Sequence, residues 1–294
     1  MRRKRAYLKY ITGLLLFGSN GVVADFISLD SYEIVLLRSF FGGLMLLGIF
    51  LLTGRRFTAH RHKKDFFFIV LSGIAMAADW LFLFEAYARI GVSLGMLINY
   101  TGPIIVMALS PLLFQERLTA RKVMALLAAL TGAVLIGGAG LYEGVNLPGL
   151  VCAVLSAFSY AAMVISNKKS AQISGMENSL LQLLSTLMTV AIFVGVKQGF
   201  AMEISPGDWP AVLWLGLVNT GLGCYLYFSS IGDLPVQTVA ICGYLEPLSA
   251  VVMAVLILQE TMLPVQCLGA VLIIGGALLG EGVRKKHRPS IDRA

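Results

Sequence analysis

Four ionisable side chains, Arg38, Asp79, Glu85 and Glu246, lie inside long apolar stretches of the chain. A charge at membrane depth costs at least about 2.5–3.5 kcal/mol on insertion scales, so each must face a protein interior and find a partner. Helical rise gives their depths. Glu246 is ten residues into segment 236–258, about 15 Å, which is mid-membrane. Asp79 is thirteen residues into segment 66–87, slightly past the middle, and Glu85 and Arg38 belong to the outer half. Asp79 and Glu246 are the leading candidates for a substrate site. A buried carboxyl can hold an organic cation or exchange a proton for one, and Trp80, Tyr100 and Tyr244 would offer aromatic faces to that cation. Arg38 and Glu85 read as a structural pair near the outer surface. The sharper alternative is that Arg38 receives a substrate carboxylate, as an amino-acid exporter would need.

Two prolines stand at the same depth. Pro103 and Pro247 each remove a helical hydrogen bond near mid-span, which frees the carbonyls of Asn99 and Gly243. Each belongs to a Tyr-x-x-Pro, so an aromatic hydroxyl, Tyr100 or Tyr244, is expected beside weakened backbone, as a hinge or a binding surface. Asn219, Gly223, Tyr227 and Ser230 follow i, i+4, i+8, i+11 spacing and make one polar stripe. Asn20, Asn99 and Tyr160 add hydrogen-bonding groups for the same cavity. Gln115-Glu116 and Gln259-Glu260 stand at helix ends and read as capping or gating groups, as do Arg38 and Glu85.

Other chemistries lack their residues. His60, His62 and His287 lie in basic segments outside the apolar runs, where a metal site is not expected. No H-E-x-x-H, G-x-S-x-G or P-loop occurs, so a metalloprotease or ATP-driven pump has no support, and no cofactor is expected. An intramembrane enzyme pairing Asp79 with Glu246 is the competing class, and it lacks an aspartyl-protease signature. Cys152, Cys224, Cys242 and Cys267 fall in apolar runs without C-x-x-C spacing and read as buried core residues.

The elements that position these groups follow from composition. Of 294 residues, 57% are hydrophobic and 13% charged, which a soluble protein of this length could not bury. Ten apolar segments can be read, at about 7–27, 34–52, 66–87, 92–114, 121–140, 148–166, 179–196, 209–231, 236–258 and 264–283. Each is long enough to cross about 30 Å as a helix. The net charge of +7 is not a nucleic-acid signal, because Lys and Arg cluster between the apolar segments. With both termini cytoplasmic, 20 of the 23 Lys and Arg fall on the inner side, as the positive-inside rule requires of an even span count. No small-residue cleavage site follows the basic start, so the first segment reads as a retained span.

A shift of 144 residues lays the second half on the first. Glu33 meets Glu177, Phe84 meets Phe228, Tyr100 meets Tyr244 and Pro103 meets Pro247. Gln115-Glu116 meets Gln259-Glu260, and Gly132-Ala133 meets Gly276-Ala277. Each half, 1–140 and 141–294, would hold five spans, an odd number, so the halves must insert in opposite orientation. Inverted repeats around a midplane site suit alternating access. The expected fold is an all-α membrane protein of ten transmembrane helices in two inverted five-helix repeats.

The Tyr-x-x-Pro, the Gln-Glu twelve residues after each Pro, and the run Leu268 to Gly276 (Leu-Gly-Ala-Val-Leu-Ile-Ile-Gly-Gly) together resemble the EamA family of the drug/metabolite transporter superfamily. The resemblance covers nearly the whole chain. It implies a central cavity lined by helices 1, 3, 4, 6, 8 and 9, and movement of small organic metabolites or drugs across a bacterial inner membrane. Three positions depart from the family pattern or from the repeat. Phe17-Gly18 replaces a frequent Trp-Gly, its second-half counterpart is Tyr160-Ala161, and Arg38 maps onto Gln182. The reading is a secondary active transporter, export favoured, of an amphipathic cation or amine, with a neutral amino acid as the alternative. Its expected partners are the solute and the lipid bilayer, protons as candidate coupling ion, and a homodimer as candidate assembly.

Overall fold

The computed structural model describes residues 2–24, 26–54, 56–90, 92–137, 146–173, 175–257 and 263–281. Among the described residues the chain is helical, with no strand. In order, the helices are α1 (Arg2–Gly18), α2 (Asn20–Ala24), α3 (Ser31–Leu52), α4 (Lys63–Ile90), α5 (Val92–Asn99), α6 (Gly102–Phe114) and α7 (Ala120–Gly137). The second half follows with α8 (Leu147–Lys169), α9 (Met176–Lys197) and α10 (Trp209–Leu213). A π-helical stretch, Trp214–Leu222, joins α10 to α11 (Gly223–Ile231); α12 (Val236–Cys242), α13 (Leu245–Ile257) and α14 (Pro264–Glu281) complete it.

Six of these runs are long and apolar enough to cross a membrane: α3, Lys63–Tyr87 of α4, α8, α9, Trp209–Ile231 and Val236–Ile257. Gly102–Phe114 and Cys267–Gly280 are shorter apolar helices. The chain is a multi-pass membrane protein, which explains why Leu52, Leu112 and Val196 remain exposed at 80–90%. Local signals set the helix ends. Asp30 caps α3 and its own N–H is answered by Glu33 Oε2 at 3.1 Å, and Asn146 Oδ1 accepts from Gly149 N at 3.1 Å to start α8.

The repeat in the sequence is a repeat in the elements. Adding 144 to the first residues of α5 and α7 gives the first residues of α12 and α14. The α7–α14 pair shows how the halves meet. At Gly132, late in α7, a Cβ would lie 2.5 Å from the carbonyl oxygen of Gly269, early in α14. At Gly276, late in α14, a Cβ would lie 2.7 Å from that of Ala125, early in α7. Late against early in both directions means the two helices run antiparallel, touching through glycines that are repeat counterparts.

The two proline-bearing segments are interrupted beside the prolines, which corrects the expectation of a backbone weakened at Pro103 and Pro247 themselves. The break after α5 falls at Tyr100-Thr101, and Pro103 sits in the first turn of α6, where its missing N–H leaves no gap in the ladder. The break after α12 falls at Gly243-Tyr244, with Pro247 in the first turn of α13. The Gly243 carbonyl is not free, because it accepts from Glu246 N at 3.1 Å. The carbonyl of Tyr100 accepts the Tyr244 hydroxyl at 2.6 Å, so a side chain of one break serves the backbone of the other. The cysteine reading is also corrected. Cys224 and Cys242 are buried, but Cys152 is partly exposed and Cys267 exposed, on helix faces that point away from the core.

Replacing Gly276 by Val should force the α7–α14 backbones apart and cost about 1–3 kcal/mol, seen as a lower melting temperature of the detergent-purified protein; an unchanged melt would mean the helices do not touch there. Tyr244→Phe strands the Tyr100 carbonyl, at about 1–3 kcal/mol. Its denaturation midpoint should fall while that of a Tyr225→Phe control, whose hydroxyl meets Lys9 at 3.4 Å, moves little.

Candidate functional site

The two breaks border one cavity of about 110 Å³. Six helices and the two breaks supply its wall. Phe17 comes from α1, Asn20 from α2, Arg38 from α3, and Asp79 and Trp80 from α4. Asn99, Tyr100 and Pro103 come from the first break, Tyr160 from α8, Tyr227 from α11, and Gly243 and Glu246 from the second break. Ten of the residues expected from the sequence to bind solute or to gate thus face one void: Asn20, Arg38, Asp79, Trp80, Asn99, Tyr100, Pro103, Tyr160, Tyr227 and Glu246.

Asp79 and Arg38 are each held by neutral polar atoms. Asp79 is 5% exposed and its Oδ1 accepts from Asn99 Nδ2 at 2.8 Å. That same amide nitrogen donates to Ser156 Oγ at 2.9 Å, which fixes the carboxyl between α4, α5 and α8. Arg38 is 6% exposed. Its Nε donates to Thr220 Oγ1 at 2.9 Å, an Nη donates to Asn20 Oδ1 at 3.4 Å, and the guanidinium lies 4.4 Å from the Trp80 ring centroid. Glu246 lies in the first turn of α13, in electrostatic reach of both Arg38 and Asp79. Tyr10, Phe17 and Phe228 pack around Tyr227, with ring centroids 4.9–5.8 Å from its own. The wall therefore offers one cation, two carboxyls and several aromatic faces to whatever enters.

Other expected residues lie elsewhere. The expected Arg38–Glu85 pair does not form. Glu85 sits six residues nearer the end of α4, about 120° around from Asp79, where it accepts from the Tyr32 hydroxyl and pairs with Arg89 at 2.6 Å and Lys197 at 3.5 Å. Those cations are closer partners than Arg38, which turns inward instead. Asn219 backs the cavity without lining it; its Nδ2 is spent on Leu16 O, Ser19 Oγ and Asn20 Oδ1 at 2.9–3.2 Å. Of the polar stripe only Tyr227 reaches the void. Gly223 lets the Phe17 ring approach, and Ser230 bonds within its own helix. Tyr244 is fully buried, its hydroxyl on Tyr100.

Glu116 lies outside the cavity, beside a separate open pocket lined by Arg3, Lys122, Lys168 and Asp233. Its carboxylate accepts from Val236 N at 2.7 Å and Gln237 N at 3.2 Å, capping α12 across the repeat boundary. Lys168 completes this tie by donating to the carbonyls of Ile231, Gly232 and Leu234 at the end of α11. Glu260, with Gln259, lies outside the described residues. Pro247 is buried behind the second break.

Sequence reasoning missed Thr220, Ser156, Met76, Met163 and Phe228 as neighbours of the site. Thr220 and Ser156 carried no visible signal among many small residues in apolar helices. Phe228 was visible only as a repeat match to Phe84, and Phe17 only through the family's Trp-Gly position.

The EamA-like transporter family model matches twice, over residues 4–138 and 147–280. A protein of Bacillus subtilis strain 168 named uncharacterized transporter YxxF is 25% identical over 95% of this chain and 90% of its own. A Salmonella typhimurium protein named probable amino-acid metabolite efflux pump is 28% identical over 63% of this chain and 66% of its own. A solved crystal structure shares the fold, with a TM-score of 0.81 and 19% identity over 96% of this chain and 99% of that one. With both halves matched by one transporter model, the chain belongs to the EamA-like transporter family.

Proposed function

We propose that this protein is a secondary active transporter that moves small organic solutes by alternating access. In this reading its ten spans form two inverted five-helix repeats, 1–140 and 141–294, in the cell's inner membrane with both termini cytoplasmic. The antiparallel α7–α14 contact supports the inversion, and the Lys and Arg distribution supports the orientation. The cavity at the junction of the halves is the solute site, and the broken helices around it are the elements that flex.

One observation carries the substrate class: Arg38 faces the same small void as Asp79 and Glu246. A lone organic cation would gain from the carboxyls and the aromatic faces but meet a guanidinium in the same wall. A zwitterion satisfies both signs at once, its carboxylate on Arg38 and its ammonium toward Asp79 or Glu246. The favoured substrate is thus a neutral amino acid or a close metabolite of one, and the efflux-pump name of the Salmonella relative supports this class and the outward direction. The amphipathic amine remains the second reading, supported by Trp80, Tyr100, Tyr160 and Tyr227 in the wall. Proton exchange would use one of the two carboxyls, which cannot both stay charged without partners when the solute leaves.

The test is flux in proteoliposomes under an imposed pH gradient, with each of the twenty amino acids set against its decarboxylated amine. Uptake of an amino acid with little uptake of its amine is the expected result. Uptake of amines alone would replace the zwitterion by a cation, and no uptake of either by folded protein would end the proposal. Glu246→Gln or Asp79→Asn should abolish the response to the pH gradient while leaving exchange down a solute gradient; a full response in both variants would remove the proton from the mechanism.

A further inference from the structure

A π-helical turn places one extra residue in the helix and moves the side chains it carries out of the ordinary register, which is why such turns concentrate at functional sites. In Trp214–Leu222 the turn carries Asn219 and Thr220, both fully buried. The Thr220 hydroxyl donates to Leu215 O, five residues back, at 2.8 Å. Its hydrogen is thereby committed, and its oxygen is left as an acceptor for Arg38 Nε at 2.9 Å. Asn219 donates to Asn20 Oδ1 at 3.0 Å, and the same oxygen accepts from Arg38 Nη2 at 3.4 Å. Both neutral oxygens that hold the guanidinium are therefore set by consecutive residues of one π turn. Among the described residues Arg38 has no carboxylate within 4.0 Å, so its charge is held in place without being neutralised.

The repeat provides an internal control. At a shift of 144, Arg38 falls on Gln182 and Thr220 on Met76. These counterparts also touch, Gln182 Nε2 lying 3.9 Å from Met76 Sδ. The scaffold builds the same contact twice, but only one copy carries a charge and a hydroxyl. Residues 70–78 of α4, which align with the π stretch, are ordinary α-helix. The π turn and the arginine thus occur together, in the same copy of the contact.

We propose that the π turn is the device that aims Arg38 at the solute: Thr220 directly, and Asn219 through Asn20, are positioning residues that hold the guanidinium over Trp80 as the subsite for a solute carboxylate. The carboxylate assignment rests on the zwitterion reading above; the positioning claim does not. The test keeps Trp80 as the sole tryptophan by replacing Trp209 and Trp214 with Phe, then reads its emission, which responds to a cation 4.4 Å from the ring. Thr220→Val should shift the emission toward that of Arg38→Met, and Thr220→Ser should restore it. Emission unchanged in Thr220→Val would overturn the positioning claim whatever the solute is. In the same background, leucine and 3-methylbutylamine, which lacks only the carboxylate, are compared by binding. Thr220→Val should weaken leucine by about tenfold and leave the amine within about twofold. An equal loss for both would overturn the carboxylate subsite. If leucine fails to bind the parent protein while the emission shift is present, the zwitterion reading falls and the positioning of Arg38 stands.

Discussion

A single hydroxyl spans the gap between two broken helices. Tyr244 donates to the carbonyl of Tyr100 at 2.6 Å, and that bond joins the two places where the backbone ladder stops. In lipid an unpaired carbonyl is costly, so a helix can be interrupted only where protein or a polar cavity supplies a partner. Because the partner comes from the other half, the two interruptions are brought face to face, and the space between them is the cavity. Glu246 and Asn99 border that space because they sit at the ends of the broken segments. Arg38 and Asp79 reach it from unbroken helices on either side.

The scaffold is close to two-fold, and its chemistry is not. Gly132 and Gly276 make equivalent contacts in α7 and α14. By contrast, the repeat counterpart of Asp79 is Gly223, and that of Glu246 is Gly102. Each of those glycines admits an aromatic ring: a Cβ on Gly223 would lie 2.7 Å from Phe17, and one on Gly102 would lie 2.7 Å from Tyr160. Where one half places a carboxyl, the other leaves room for an aromatic face. The repeat supplies two alike halves, and the departures from it give the cavity its polarity.

The acidic groups outside the cavity follow the same division. Glu33 and Glu177 are repeat counterparts at the starts of α3 and α9, yet Glu33 closes its own capping box while Glu177 reaches to Thr58 N at 2.6 Å and Ala59 N at 2.9 Å. Glu116 likewise leaves its own helix end to cap α12. Carboxylates at helix termini are thus used to tie segments across the bundle, where the backbone N–H groups of a helix start are the nearest donors.

Hydropathy alone set the all-helical membrane class, because the length of an apolar run is a property of the chain and needs no contact. The repeat was equally legible, since Tyr-x-x-Pro and Gln-Glu stand at fixed spacing. So was the membership of most of the cavity wall: a charge, a proline or an amide deep in a lipid-spanning run must point inward wherever it is. Partners were not legible. The sequence paired Arg38 with Glu85 on depth alone, but the choice between an acidic group on the outer flank and a hydroxyl on α11's π-helical approach depends on rotation about the helix axis. A π turn leaves no mark in hydropathy, and Thr220 is one of many small polar residues in apolar helices. Likewise, prolines announced weakened backbone but could not say that the helix stops altogether, since that required a donor from the other half. Sequence determined which groups must leave the lipid; packing of one half on the other decided what each of them meets.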